Sequence, residues 1–413
     1  MALAIKNQGM SITNFEELQK RVIRRMYQEA HSTGIAPDLW KQEMQDFERA
    51  IEMGTGLKFS KVKYDTPDWE MIQNLRYNTA VYDAFKLNKQ NKELYKLLTD
   101  EKGKQRSWKE FKEEAEKVTN QYNKVWLQTE FNQSHQSANQ AKRWNEAVNT
   151  ADLYPNLEYI AVRDDHTRPE HEKLHGAIFP IDHPFWNKNY PPNGWACRCT
   201  ARPTDKALNE IEGLTFDKDD PFATNVGKTS KIFTDDHPMV KEGNKTEVLK
   251  FIARNIRTVA QIRSSFRTFG KFKKATHKQI YFDGNTGGFY VESLKHKFDP
   301  VTGKFERKTA KILAKNGHQT ELLADVYGKK NIDLNLNNLP TEIKVMNGER
   351  NILNRAKTAA KQGAKRVVYY INFENEAAMF KRFESVFANV PEIKELWYIR
   401  KGKLNKYAKR NPK

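Results

Sequence analysis

The chain has 413 residues, 38 % of them hydrophobic and 30 % charged, with a formal charge of +19. That length predicts about two or three domains, no run is apolar and long enough to span a bilayer, and two cysteines are too few for a disulfide-stapled scaffold. The N-terminal segment MALAIKNQGMSITNFEELQK lacks the apolar core of a signal peptide, so synthesis and first action in a cytoplasm are expected. The charge is unevenly spread. Residues 251–413 hold 34 Lys and Arg against 14 Asp and Glu, whereas residues 1–250 hold 37 against 38. A basic C-terminal part suits a polyanionic partner.

Residues 1–150 read as helices, with apolar residues at helical spacing (Trp69, Ile72 and Leu75; Phe111, Ala115, Val118 and Tyr122). The run 105–150 is rich in Gln, Asn and Lys, and its wide polar face predicts an exposed helical hairpin. Residues 151–204 turn dense in His, Pro, Trp, Asp and Cys, which predicts a small loop-rich module. The polar, turn-rich stretch 205–255 reads as a linker. From 256 to 413 the pattern is mixed. Two strands flank the turn at Asp283–Asn285, a helix over 304–316 stops at Gly317, and HQTELLA, NIDLNLN and TEIKVM read as strands. A second helix ends at Gly363, RVVYYINF suits a central strand, and a helix over 375–389 precedes a last strand in ELWYIRKG. The expected fold class is therefore multidomain α+β: a helical N-terminal region with a small His/Cys module, then an α/β sandwich around one mixed sheet.

Within that last part, Asp333 stands nine residues before Glu342-Ile343-Lys344. On a strand, positions 342 and 344 leave from one face. Two carboxylates offer hard oxygen ligands to Mg²⁺, and an adjacent ammonium can orient a water or neutralise charge. These parts suffice for hydrolysing a phosphodiester. The duller alternative is a turn aspartate beside a solvated strand-edge pair.

The helix–strand–strand order with this D…ExK spacing resembles the PD-(D/E)XK nucleases. The stretch from about 281 to 400 resembles the C-terminal tRNase toxin domains of contact-dependent-inhibition effectors, on GGFYV (287–291), Glu306, AKILAKNGH (310–318), Asp333, Glu342-Ile343-Lys344 and Gln362. The resemblance implies that Glu306, Asp333 and Glu342 hold the metal, that Lys344 aids the attacking water, and that Gln362 contacts substrate. Ile332 stands where that family's motif has Pro. For Glu306 the alternative is an exposed helix glutamate paired with Lys308 or Lys311.

The other constellation is Asp165-His-Thr-Arg-Pro-Glu-His171-x3-His175-Gly, followed by Pro191-Pro-Asn-Gly-Trp-Ala-Cys197-Arg-Cys199-Thr. These two ordered pieces resemble the phage Mu F-like minor head proteins. That resemblance implies a head-morphogenesis protein in the virion whose helical N-terminal region docks near the portal and other capsid proteins. Chemically, His171, His175, Cys197 and Cys199 are N/S donors able to form a tetrahedral Zn²⁺ site. A hydrogen-bonded core, with the two histidines packed on Trp186 and Trp195, is the alternative.

Together the two resemblances imply a virion protein that carries a C-terminal nuclease, acting on tRNA or DNA and accompanied by an immunity protein. The competing expectation is a purely structural minor head protein whose basic C-terminal domain binds packaged DNA through phosphates, without catalysis.

Overall fold

The computed structural model describes residues 12–29, 34–211, 221–300, 302–325 and 332–407. The chain divides into two compact units, Met1–Ile256 and Arg257–Lys413.

The first unit begins with α1 (Ile12–Glu29), α2 (Pro37–Thr55), α3 (Pro67–Lys96), α4 (Trp108–Asn120) and α5 (Leu127–Asn149). Pro37 and Pro67 open their helices at positions where a missing N–H costs nothing. Thr66 caps α3 by accepting the Trp69 N–H, and Ser107 with Glu110 closes a reciprocal capping box on α4. A π-helical turn, Gln121–Trp126, carries α4 straight into α5. The expected exposed hairpin over 105–150 is thus one continuous helical rod, and much of it is buried. The reason lies in small and amide side chains: Gln133, Ser134, Ser137, Ala138 and Ala141 let α5 approach α2 closely. At Gly54 on α2 an added Cβ would stand 2.2 Å from the His135 carbonyl oxygen. Deeper in this core the Lys86 ammonium lies 2.7 Å from Glu43, 3.2 Å from Asp83 and 2.6 Å from Glu130, with all four side chains sealed from solvent.

A three-stranded antiparallel sheet follows, in the order β2-β1-β3, from β1 (Asn156–Ile160), β2 (Ile178–Pro180) and β3 (Thr200–Thr204). Short helices α6 (Pro169–Glu172) and α7 (Phe185–Asn189) lie in its connections. Leu157, Tyr159, Phe179, Trp186, Cys197 and Cys199 join the same hydrophobic core as α2, α3 and α5, so the His/Cys module of residues 151–204 is packed onto the helical region. The linker expectation for 205–255 is also corrected. Beyond residues 212–220, which lie outside the described residues, α8 (Val226–Thr229), α9 (Pro238–Lys241) and α10 (Lys245–Asn255) put Val226, Val240, Val248 and Ile252 into that core, and the loop between α8 and α9 adds Phe233. Asn78 on α3 fixes this segment by accepting the Ile232 and Phe233 N–H groups at 2.8 and 2.9 Å. The turn residues mask apolar anchors spaced too irregularly to show a period.

The second unit starts with α11 (Val259–Gly270), then β4 (His277–Phe282), β5 (Phe289–Ser293), α12 (Gly303–Lys315), β6 (Gln319–Leu322), β7 (Leu334–Leu336), β8 (Leu339–Met346), α13 (Ile352–Lys361), β9 (Arg366–Ile371), α14 (Glu376–Asn389), β10 (Glu395–Arg400) and β11 (Lys403–Tyr407). One mixed sheet runs β11-β10-β9-β8-β7-β6-β5-β4, with parallel pairs at β10–β9, β9–β8 and β6–β5. Every residue of β9 is buried, as its unbroken apolar run predicts. Side chains alternate between two cores. Leu334, Leu336, Ile343, Val368 and Trp397 pack with Ala310 and Leu313 of α12 on one face. Val367, Tyr369 and Leu396 pack with α13 and α14 on the other. The sequence reading lacks β11, whose short, polar KLNKY run carries no apolar period.

Candidate functional site

The spacing between Asp333 and Glu342 is a hairpin register. β7 and β8 are joined by the two-residue turn Asn337-Asn338, both residues left-handed at φ 51° and 62°. Leu336 pairs with Leu339, Asn335 with Pro340 and Leu334 with Thr341. Continuing that count sets Asp333 opposite Glu342. The side chains interlock there: the Asp333 N–H donates to Glu342 Oε1 (3.1 Å), and the Ile343 N–H donates to Asp333 Oδ2 (2.7 Å). Lys344, two residues on and so on the same face, hydrogen-bonds Glu342 and stands 4.0 Å from Asp333 Oδ2.

Burial decides the electrostatics. The Glu342 side chain is fully buried, and burial, reinforced by the Asp333 charge and opposed by Lys344, pushes its carboxyl up to about 7. Burial also raises Asp333, against the pull of Lys344. Two carboxylates share one ammonium, so the cluster is one positive charge short when both are ionised. An oxygen-only donor set with a charge deficit fits a hard divalent cation such as Mg²⁺.

Glu306 arrives differently. It lies on α12, on the opposite face, and its carboxylate takes a hydrogen bond from His296 Nε2 (3.0 Å) rather than an ammonium from Lys308 or Lys311. Its charge still reaches Asp333 and helps raise that carboxyl. His296 Nδ1 bonds the Leu323 carbonyl oxygen at 2.7 Å. Both ring nitrogens face acceptors, the arrangement of a doubly protonated imidazole. Burial opposes that charge, but the bonds to Glu306 and Leu323 outweigh it and raise the His296 pKa. Sequence reasoning passes over His296, because nothing in Lys295-His296-Lys297 marks its distant partner. Gln362 caps α13, which covers the face carrying Asp333, Glu342 and Lys344. A Cβ on the adjoining Gly363 would lie 3.6 Å from Ile332, so this helix end borders the approach to Asp333.

In the first unit, His171, Cys197 and Cys199 converge and are buried, their ligand atoms all within 4.8 Å of one another. This triad can hold a metal ion. His171 sits on α6, while both cysteines lie on the segment that enters β3. The left-handed Gly194 and Ala196 (φ 96° and 56°) turn that segment, and C-x-C spacing in extended chain sends both sulfurs one way. Arg198, between them, points outward to a salt bridge with Asp164. Hydrogen bonds from Cys199, against the cost of burial and joined by His171 and backbone N–H groups, pull the Cys197 thiol down to about 4. His175 is a correction to the expected ligand set: its Nδ1 accepts the Ala161 N–H at 3.2 Å, and it lies outside the cluster. The H-x3-H spacing suggested a pair, but α6 ends at Glu172 and does not extend to His175.

Residues 92–202 match the family model described as Phage Mu protein F like protein. The first unit contains a phage Mu F-like region. The Mu F-like region runs from late α3 into β3 and includes the whole His/Cys triad. Protein F of Escherichia phage Mu, named for capsid assembly, is 47 % identical over 88 residues, which are 21 % of this chain and 20 % of that protein. The FluMu F protein of a Mu-like prophage in Haemophilus influenzae is 36 % identical over 84 residues, 20 % of each chain. An uncharacterized protein of Methanocaldococcus jannaschii is 28 % identical over 147 residues, covering 34 % of this chain and 22 % of that protein. The chain thus spans about a fifth of the length of the curated relatives it matches. Among solved structures, a CdiA-CT/CdiI toxin and immunity complex from Burkholderia pseudomallei is 19 % identical and covers 28 % of this chain and 97 % of that one, with a TM-score of 0.24. Among the described residues no helix is long and apolar enough to cross a membrane.

Proposed function

We propose that this chain is a capsid-assembly and head-morphogenesis protein of a tailed phage, held in the virion near the portal, whose second unit is a metal-dependent nuclease. The structural half of the reading is supported by the Mu F-like region. The enzymatic half rests on one observation, the cross-strand pair Asp333 and Glu342 with Lys344 bonded between them in a strongly basic part of the chain.

In this reading Asp333 and Glu342 are the metal-side acids, while Glu306, held by His296 on the α12 side, acts on Asp333 through its charge rather than as a ligand. A bound Mg²⁺ would polarise the phosphate and lower the pKa of the attacking water. Lys344 steadies that water and the charge growing on the phosphoryl oxygens. Gln362 and the surrounding lysines and arginines seat the sugar–phosphate chain. Water oxygen bonds to phosphorus as the bond to the leaving sugar oxygen breaks. A tRNA is the favoured substrate, and an immunity protein with host delivery completes the reading. Zinc is assigned to His171, Cys197 and Cys199.

The test incubates the full chain with total tRNA and with plasmid DNA, each with Mg²⁺ or with EDTA. Cleavage that needs Mg²⁺ and disappears in Asp333→Asn and Glu342→Gln is expected. Binding of either nucleic acid with no cleavage under any condition would leave the non-catalytic DNA-binding reading, which the same basic surplus supports.

A further inference from the structure

Two distances in the first unit are nearly equal and converge on one imidazole nitrogen. His171 Nδ1 lies 3.8 Å from the Cys197 sulfur and 3.7 Å from the Cys199 sulfur. A neutral imidazole nitrogen has one lone pair and cannot accept from both thiols. A tetrahedral zinc ion, with Zn–S about 2.3 Å and Zn–N about 2.0–2.1 Å, sets neighbouring S and N donors roughly 3.6 Å apart. The near-equal separations are those of donors arranged around a common cation.

Hydrogen-bond partners surround both sulfurs. The Tyr159 hydroxyl on β1, wholly buried, hydrogen-bonds the Cys199 sulfur. Asn193 holds that hydroxyl through Nδ2 at 3.1 Å and anchors itself on the Asn189 carbonyl at 2.9 Å. Backbone N–H groups of Asn193 and Cys199 bond the Cys197 sulfur. Asn193 Oδ1 is buried and has no hydrogen-bond partner among the described residues. His171, Cys197 and Cys199 are each at most 6 % exposed, too enclosed for a substrate to reach an ion between them.

We infer that this is a closed, structural zinc centre with three protein ligands, His171 Nδ1 and the thiolates of Cys197 and Cys199, and that Tyr159 and Asn193 form the supporting shell that fixes the Cys199 thiolate. The inference rests on the zinc assignment above and adds the supporting residues and the structural role. The ion ties α6 to the strand-entry segment of β3, while Tyr159 ties both to β1. The Mu F-like region thereby gains a cross-link beside the Arg198–Asp164 salt bridge and the Arg168 bond to the Trp195 carbonyl oxygen, which tie the same two connections.

The experiment measures zinc in the full chain purified without chelator, by elemental mass spectrometry. About one zinc per chain is expected in the wild type and in His175→Ala, and loss of zinc in His171→Ala and Cys199→Ser. A wild type without zinc overturns the assignment itself. Zinc retained in Cys199→Ser or lost from His175→Ala overturns the ligand set while the assignment stands. Because ligand variants can fail to fold, Tyr159→Phe supplies a second reading. It is expected to bind zinc but to yield it to a competing chelator about 10- to 100-fold more readily. Unchanged competition would overturn the supporting role of Tyr159. Chelation of the wild type is expected to lower the unfolding midpoint of the first unit, with recovery on adding Zn²⁺ but not Mg²⁺. An unchanged midpoint would overturn the structural role.

Discussion

If the second unit binds a cation as proposed, the protonation of Glu342 makes that binding dependent on pH in a calculable way. Burial, aided by the Asp333 charge, lifts this carboxyl to about 7, so below that pH the side chain holds a proton that a cation must displace. The sign follows directly: affinity for Mg²⁺ rises with pH and levels off above about 7. For one displaced proton the ionised fraction of Glu342 changes about 25-fold between pH 5.5 and 7.5, equivalent to nearly 2 kcal/mol of binding free energy. Asp333, also raised by burial, steepens the dependence. Titrating the full chain with Mg²⁺ by calorimetry at pH 5.5, 6.5 and 7.5 reads this directly, with circular dichroism at each pH to confirm the folded state. Glu342→Gln is expected to bind weakly at every pH. An affinity that changes by less than about threefold over the range, in folded protein, would refute the idea that the ion displaces a proton from this acid.

Three further outcomes are expected. Lys86→Met leaves Glu43, Asp83 and Glu130 buried without their shared ammonium, and should cost the first unit about 3–5 kcal/mol in urea unfolding. Gly54→Ala forces α2 from α5 at the His135 carbonyl, so the overpacking should destabilise the same unit by about 1–3 kcal/mol and lower its melting temperature. His296→Ala removes the partner that holds Glu306, whose charge is all that reaches Asp333, and should change Mg²⁺ affinity by less than about tenfold while leaving the sheet intact by circular dichroism.

What was legible in the sequence was local. The ends of α12 and α13 are written in Gly317 and Gly363, the β4–β5 hairpin in its Asp-Gly-Asn turn, and β9 in an unbroken apolar run. The Asp333, Glu342 and Lys344 cluster was legible for the same reason, since a hairpin brings close what lies near in sequence. Contacts made across the fold were not. Glu306 depends on His296, ten residues away around a strand end, and the Lys86 cluster draws on three helices. The supposed linker failed for a related reason: its anchors fill gaps between α2, α3 and α5, and such positions follow the shape of the gaps rather than a period. His175 shows the converse error, in which a ligand-type residue near in sequence is counted into the cluster although its ring bonds the Ala161 N–H instead.

The Asn337-Asn338 turn has a consequence for how this part of the chain can diverge. Positions 333 and 342 are mirror images about it, so the eight residues between them can drift in identity while their number stays fixed. Adding or deleting a single residue there would turn Glu342 over to the α12 side and carry every later side chain of β8 with it. In such a descendant the letters D and ExK would survive intact and the pair would be gone, so counting the loop says more about whether chemistry persists than reading the motif does.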